Sequence, residues 1–397
     1  MSFSNIKKVD NYTATFTLAP LTVSYANVLR RLILTGVESV GFNGAIDSKG
    51  RTGDIVIKHN DTPITNESLA HRVSLIPINV RAPLQFEADK YKFILKVKND
   101  TDRTLDVCAG DFEVYEQSDP ESEPVRVATE TFFPVNPVTR DTALIAVLKG
   151  KQFGQTKGEM IELEAKASIG TGRKNAGFMS VSQISYVYTP NSDPEELRKV
   201  FERWLESSKN IAVSELTPDD PRRPALEKEF RTMEIARCYL RDKRGEPYSY
   251  DFTIETIGVL SIPYIVQRAC EVGEAMFRRY ENVESGELPA ELTIQKTTMS
   301  MTGFDFFFKG HDHTLGNALQ TFMVESMIEP EEKPIEPLIY AGYKVPHPLH
   351  DVMQLTIGLN ADINEETARQ VLAFAARGVA DLFRKLRAEW MNAIARK

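Results

Sequence analysis

Apolar and polar residues alternate over residues 12–18, which places Tyr12, Ala14, Phe16 and Leu18 on one face of a predicted strand that Pro20 ends. The period then changes. Tyr25, Val28, Leu29, Leu32 and Ile33 recur at i, i+3, i+4, i+7 and i+8, one apolar stripe on a helix that Ser24 can cap and Gly36 can close. From about Gly41 to Val181 the pattern is one of short alternating strands, such as 91–97 and 161–167, separated by Gly, Pro and Asp turns. It predicts an inserted β-rich domain. Within it, the acidic, proline-containing stretch 116–123 has no apolar period and reads as a solvated loop.

Helical spacing resumes after Pro190, where Ser192 or Asp193 can cap, Pro194 suits the first turn, and Leu197, Val200, Phe201, Trp204 and Leu205 form a stripe. The proline-rich segment 217–224 predicts its end. A strand over 250–256 leads through Gly258 into a helix beginning near Ser261, with Ile265, Val266, Ala269, Cys270, Met276 and Phe277 on its apolar side. Residues 281–290 turn polar and predict a short linker, with a reach of roughly 30 Å at ~3.3 Å per residue. Beyond it come strands at 292–298 and 303–309, a helix at 314–328, a strand at 353–359 and a long helix from Asn364. Glu365 and Glu366 in its first turn and Arg396 and Lys397 in its last match the helix dipole.

The chain also repeats itself. A shift of 290 positions carries Tyr25, Val28, Leu29, Leu32 and Ile33 onto Leu315, Ala318, Leu319, Phe322 and Met323, and Asn27 onto Asn317. Phe16 and Phe306 each lie eleven residues before that asparagine. Each half then closes as strand, glycine, long helix, through Gly258 and through Gly358. A repeat too long for a solenoid period is what a duplication or a fusion of paralogues leaves. Two such halves can cover each other's helix stripes, as the two copies in an isologous dimer do.

Composition narrows the function classes. With 397 residues and 42% hydrophobic content the chain can bury a sizeable core, and its length suggests two to three domains. Lys and Arg number 48 against 56 Asp and Glu, a formal charge of −8 that does not favour a phosphate backbone as direct partner. Cys108, Cys238 and Cys270 are too far apart for a CxxC pair or a disulfide framework, which fits a reducing, intracellular setting. Neither a signal-type apolar segment nor 18 uninterrupted apolar residues occurs, so no secretion and no membrane span are expected.

Specific motifs carry a resemblance. Residues 21–31 (LTVSYANVLRR), 60–62 (NDT) and 67–77 (ESLAHRVSLIP) resemble the alpha-like subunit of cellular RNA polymerases, called D in archaea. So do 157–159 (KGE), 162–167 (ELEAKA) and 252–258 (FTIETIG). Downstream, 313–317 (HTLGN) with 341–349 (AGYKVPHPL) resembles the small partner subunit, called L. The matches run through nearly the whole chain in the family's order, most thinly over 100–140 and 190–250. Both kinds joined in one chain look like the polymerase subunits of large cytoplasmic DNA viruses, which implies a host-cytoplasmic setting.

The resemblance implies an α+β fold of two pseudo-twofold-related dimerisation domains in one chain, the first carrying the inserted β-rich domain. Residues 1–46 and 182–282 would form the alpha-like domain, 47–181 the insertion, 283–290 the linker and 291–397 the L-like domain. It implies a non-catalytic platform that holds the two largest subunits and small subunits associated with the pair, without cofactor or metal. Arg30, Arg31, His71, Arg72, Arg173 and Lys174 would face the large subunits, a role suited to the guanidinium fork opposite carboxylates. The intrachain interface would be formed by Tyr25, Val28, Leu29, Leu32 and Ile33 against Leu315, Ala318, Leu319, Phe322 and Met323. Some D subunits carry a cysteine-rich iron–sulfur or zinc element; Cys108 stands alone in the insertion here, so that cofactor is not expected.

An alternative of another class is a metal-dependent hydrolase using His311, His313, His347 and His350, with Asp312 and Asp351 beside them. Spacing argues against it: H-x-H on a turn and a Pro348-interrupted H-x-x-H do not form a helical HExxH pair. Residues 170–174 (GTGRK) lack the GxxxxGK[ST] pattern of a phosphate loop. The triplet 66–68 (NES) fits a glycosylation site that a chain without a signal peptide would not use.

Overall fold

The computed structural model describes residues 1–45, 53–117, 122–151, 154, 157–217, 220–330, 338–360 and 364–396. The boundary expected at 46/47, the centre of the acidic stretch at 116–123, part of the proline-rich segment 217–224 and the charge at Lys397 lie outside these residues.

A strand absent from the sequence reading opens the chain. Ser2–Lys8 pairs antiparallel with Thr13–Ala19. Only Phe3 along it is buried, so it shows no alternation to read. Thr13–Ala19 alternates as expected, with Ala14, Phe16 and Leu18 inward.

Helix α1 (Val23–Thr35) follows, with Tyr25, Ala26, Val28, Leu29, Leu32 and Ile33 buried. Its N-cap is Thr22 and not Ser24, and the Thr22 hydroxyl caps nothing: it donates instead to Glu325 at 2.8 Å. Gly36 does close the helix, its N–H bonded to Leu32 O, but at φ −98° and not in the left-handed region.

Helix α2 (Asn66–Ser74) also went unpredicted inside the β-rich texture. Thr65 caps it through Ser68 N–H, and Leu69, Ala70 and Val73 are buried. Helix α3 (Pro194–Lys209) starts at Asp193 as expected and ends on Asn210, which adopts φ +53°. Helix α4 (Arg223–Met233) corrects the expectation of a simple break: Pro224 sits in its first turn, where the missing N–H has no helical partner to lose. Helices α5 (Ile262–Arg278), α6 (His313–Met323) and α7 (Glu365–Ala395) complete the set among the described residues. Ser261, Asp312 and Asn364 cap them through side-chain oxygens. The predicted helix at 314–328 is α6 followed by a π-turn over Val324–Ile328, and Arg396 is the C-cap of α7, not part of its last turn.

Two four-stranded antiparallel sheets carry these helices. The first runs in the order Ser2–Lys8, Thr13–Ala19, Tyr250–Thr256, Val181–Tyr188; the second runs Leu292–Lys296, Gly303–Lys309, Val352–Leu359, Leu338–Lys344. In each, the second strand of the sheet leads into the shorter helix, α1 or α6, and the third into the longer one, α5 or α7. The correspondence is not exact in every residue. Gly258 takes φ +94° in the turn before α5, whereas Gly358 lies within a strand.

One hydrophobic core takes in both sheets and α1, α5, α6 and α7, from Phe3 to Trp390. The most extensive helix packing within it is α5 against α7. The segment 283–290 is bound to this core: Val283 is buried, and Arg377 on α7 holds both oxygens of Glu284 at 2.9 and 2.8 Å.

A second core lies under a five-stranded sheet ordered Ile55–Asn60, Met160–Lys166, Tyr91–Lys98, Phe112–Glu116, Val125–Val127. Phe42, Phe93, Phe112, Phe132 and Phe133 meet there, several edge-to-face. A third, small cluster of Trp204, Leu205, Leu216, Phe230 and Cys238 joins α3 to α4.

Candidate protein-docking surface

The polar residues singled out from the sequence divide between the interior joints of the molecule and its surface. Arg31, on the outer side of α1, donates from Nε to Thr314 Oγ1 at 2.7 Å and from Nη2 to Asp312 Oδ2 at 2.9 Å. Asp312 caps α6 with its other oxygen, accepting from Thr314 N–H at 2.8 Å. Burial works to raise this carboxyl, but the Thr314 hydrogen bonds together with Arg31 and Arg173 hold it below the usual carboxylate range. Asp312 thus enters ionised, ties the first sheet's helix to the second's, and leaves Arg31 about a third exposed.

Arg173 converges on the same place. Its Nη2 donates to Gly310 O at 2.9 Å and lies 3.9 Å from Asp312 and 3.8 Å from Asp351. The 170–181 loop is positioned by Arg173 N–H bonding Thr35 O at the end of α1 and by the buried Phe178, whose ring lies 2.7 Å from where a Cβ on Gly170 would fall. So two arginines expected to face a partner are used inside the chain. The resemblance implied an interface for them; the fold shows which groups of this chain they meet.

The other expected partner contacts differ in place. Arg30 Nε donates to Asn27 Oδ1 at 3.0 Å, and Arg72 donates to Ile145 O at 2.8 Å and Leu144 O at 3.3 Å, at the start of the strand Leu144–Leu148. His71 and Arg72 line one groove with Glu67, Ser68 and Asn175, and Lys174 is exposed nearby in sequence.

The intrachain set gathers in the main core. Tyr25, Val28, Leu29, Leu32, Ile33, Leu315, Ala318, Leu319 and Met323 are buried there, and Phe322 is half-buried against Phe374. Asn317, matched to Asn27 by the repeat, does something different: its Nδ2 donates to Ser24 Oγ at 3.2 Å, where Thr321 also donates at 2.8 Å.

Sequence reasoning missed the larger part of this contact. Phe277 and Phe383 stack with centroids 5.9 Å apart, Trp390 Nε1 donates to Pro263 O at 3.0 Å, and the Trp390 ring meets Phe3 and Phe16. Arg268 on α5 grips both oxygens of Glu38 at 2.9 and 2.8 Å and reaches Glu271 at 2.9 Å. Burial alone would raise Glu38; the Arg268 fork outweighs it and keeps the carboxyl low. The apolar spacing of Ile265, Ala269 and Phe277 was the available signal, but it named no partner.

The histidines of the alternative reading are not assembled as a ligand set. His311 Nε2 bonds the Tyr280 hydroxyl at 2.8 Å, His313 Nδ1 lies 3.3 Å from the Tyr343 hydroxyl, and the His347 and His350 rings meet tilted at 41° with centroids 4.9 Å apart. Among the described residues no group of three or more His, Cys, Asp or Glu side chains could hold a metal ion, and no helix is long and apolar enough to cross a membrane.

Fold and joints together define an α+β protein in which two like-ordered sheets pair through their helices. Residues 304–389, which take in three of the four strands of the second sheet, α6 and most of α7, match the family described as the RNA polymerase Rpb3/Rpb11 dimerisation domain. The chain is 23% identical over 277 residues to DNA-directed RNA polymerase subunit Rpo3 of Methanosphaera stadtmanae, an alignment covering 67% of this chain and 93% of the relative. It is 27% identical to Rpo3 of Pyrococcus furiosus over 267 residues, 65% of this chain and 87% of the relative. Subunit 3 of RNA polymerases II, IV and V of Arabidopsis thaliana is 25% identical over 296 residues, 67% and 86% of the two chains. The chain is thus similar to Rpb3/Rpb11-type RNA polymerase subunits. These homologues are non-catalytic members of the polymerase complex.

Proposed function

We propose that this chain is a non-catalytic assembly subunit of a DNA-directed RNA polymerase, in which an Rpb3-like part and an Rpb11-like part of one polypeptide pair with each other and hold the two largest, catalytic subunits. The observation that carries this reading is the single core running from Phe3 to Trp390, which both sheets and all four of their helices share. Two sheets of the same strand order, each backed by a short and a long helix, bury their helices against one another as the subunits of an isologous dimer would. Because they are joined covalently, their pairing is set by a short segment and not by subunit abundance.

The extents of the matches support the same reading. Two thirds of the chain covers the archaeal Rpo3 subunit almost end to end, while the dimerisation-domain match lies at 304–389. On this reading Arg31 and Arg173 lock the internal pair, and Arg30, His71 and Lys174 belong to the composite outer surface that meets the large subunits. The β-rich part between the strands Thr13–Ala19 and Val181–Tyr188 is an insertion in the first half. A fused pair of this type further suggests a polymerase of a large cytoplasmic DNA virus, working in the host cytoplasm.

Co-expression of the full chain with the two largest polymerase subunits of the same source tests the proposal. A stable assembly containing all three is expected, with no nucleotidyl transfer by this chain alone; purification of the chain free of both would overturn it. Expressed separately, 1–281 is expected to aggregate through its uncovered helices unless 291–397 is supplied. A soluble, monomeric 1–281 would count against the paired architecture.

A further inference from the structure

Two tyrosines and an arginine form a run at the edge of the first sheet. Tyr188 ends the edge strand Val181–Tyr188 and keeps 36% of its surface in solvent. Its ring centroid lies 4.7 Å from that of Tyr239, and the exposed Arg241 sets its guanidinium 4.3 Å from the Tyr239 centroid. The run is backed from within: the buried Tyr250 meets Tyr188 edge-on at 5.9 Å, and Tyr186 stands 6.5 Å from it. Backbone bonds hold the two segments side by side. Asn191 N–H donates to Cys238 O at 2.9 Å and Leu240 N–H to Thr189 O at 3.0 Å. Cys238 is buried in the small cluster that joins α3 to α4, and Arg241 bridges to Pro247 across the next turn.

The charge of this region departs from that of the whole chain. From Pro221 to Arg244 there are eight Lys and Arg against four Asp and Glu, in a chain whose total is −8. Arg241 and Lys243 meet no carboxylate among the described residues. The acid between them, Asp242, is turned to its own backbone, accepting from Arg244 N–H at 2.8 Å and Glu246 N–H at 3.0 Å, while Arg244 takes Glu329.

We infer that Tyr188, Tyr239 and Arg241 form a stacking platform for single-stranded nucleic acid, bound without base specificity, with Arg241 and Lys243 meeting its phosphates. Unpaired bases have open faces that stack on tyrosine rings and on guanidinium planes, and Arg241, which lies on Tyr239 by one face, has its other face toward solvent. Rival occupants use only part of the site. A duplex has its bases stacked already, an acidic protein surface would engage the cations and leave the rings idle, and a proline-rich peptide would engage the rings and leave the cations idle. Most of the platform lies in the 190–250 stretch, to which the reading of the chain as an assembly subunit gives no role. The inference therefore stands apart from that proposal.

Fluorescence anisotropy of the full chain with fluorescein-labelled oligo(U) and oligo(dT) of about 16 nucleotides, and with a duplex of equal length, tests this. Single strands are expected to bind more tightly than the duplex, with affinity falling as salt rises. The tighter of oligo(U) and oligo(dT) tells whether RNA or DNA is the strand the platform takes. Tyr188→Ala and Arg241→Ala are each expected to weaken single-strand binding by roughly ten- to a hundred-fold. Arg241→Lys, which keeps the charge and loses the planar stack, should weaken it by a smaller factor at unchanged salt dependence. No binding by the wild-type chain at low salt would overturn the platform, as would a duplex held as tightly as either single strand. Should Tyr188→Ala lower the Tm, the two variants of the exposed Arg241 decide: single-strand binding equal to wild type in both overturns the inference.

Discussion

Gly273 of α5 lies against the ring of Phe383 of α7, so closely that a Cβ on the glycine would fall 2.6 Å from Phe383 Cδ1. The arrangement recurs nearby: Gly378 of α7 faces Phe322 of α6, where a Cβ would fall 1.9 Å from the ring. Mid-helix glycine is unfavourable by about 1 kcal/mol relative to alanine. At these two positions it lets a phenylalanine of a neighbouring helix lie against the backbone.

Alanine at either glycine should therefore lower the thermal midpoint despite its better helix propensity. Overpacking typically costs about 1–3 kcal/mol, and the propensity gain offsets up to about 1 kcal/mol of it. Gly378→Ala, the tighter site, should lose more than Gly273→Ala. A rise in Tm for both in thermal denaturation would mean that these helices have room to separate.

Trp390 should be among the most costly side chains to remove. It is buried, packs on Phe3 and Phe16 of the first sheet, and donates to Pro263 O at the start of α5. Trp390→Ala is expected to cost about 3–5 kcal/mol in urea denaturation of the full chain. A cost below about 1 kcal/mol would show that the last turns of α7 are not part of the shared core.

Arg31 and Asp312 should be coupled energetically across 281 residues of sequence. Both side chains keep about a third of their surface in solvent, so screening reduces the pair's worth to about 1 kcal/mol in a double-mutant cycle with alanine. Additive single losses would mean that the ion pair does not hold the two sheets' helices together.

His311 predicts an acid-sensitive limb of stability. Burial is the chief reason its imidazole is pushed below the ordinary 6.5, and the Arg173 and Arg279 charges add to it while Glu291 and Asp312 oppose. A base with a lowered folded-state value binds fewer protons folded than unfolded. Its contribution is complete above about pH 6.5 and is lost as pH falls toward the folded value. Glu38 and Asp312, whose carboxyls are held low, give way only at more acidic pH. His311→Gln can keep the bond to Tyr280 and should flatten the urea midpoint between about pH 7.5 and 5.5. An unchanged slope would assign that sensitivity to other groups.

Much of the fold was legible because side-chain periods print directly into the chain. The alternation at 250–256 marked Tyr250–Thr256, and the stripe after Ser261 marked α5, cap included. Legibility failed where local cues competed. Ser2–Lys8 buries one side chain, α2 is too short to outweigh strand texture around it, and Pro224 begins a helix where proline reads as a breaker. The site was legible only through the resemblance, which implied an interface at Arg31, and nothing local told whether that guanidinium would meet a carboxylate of its own chain.

By itself, then, the sequence determined most of the strands and helices and which face of each is apolar. Those are properties of neighbours three, four or two residues apart. Only the tertiary structure decided that α5 lies against α7, that Gly273 accommodates Phe383, and that Asp312 receives Arg31. An apolar stripe is satisfied by any apolar cover, and a guanidinium by any carboxylate. The choice among equals is made by the register of strands and the shapes of side chains that meet only once the chain has closed on itself.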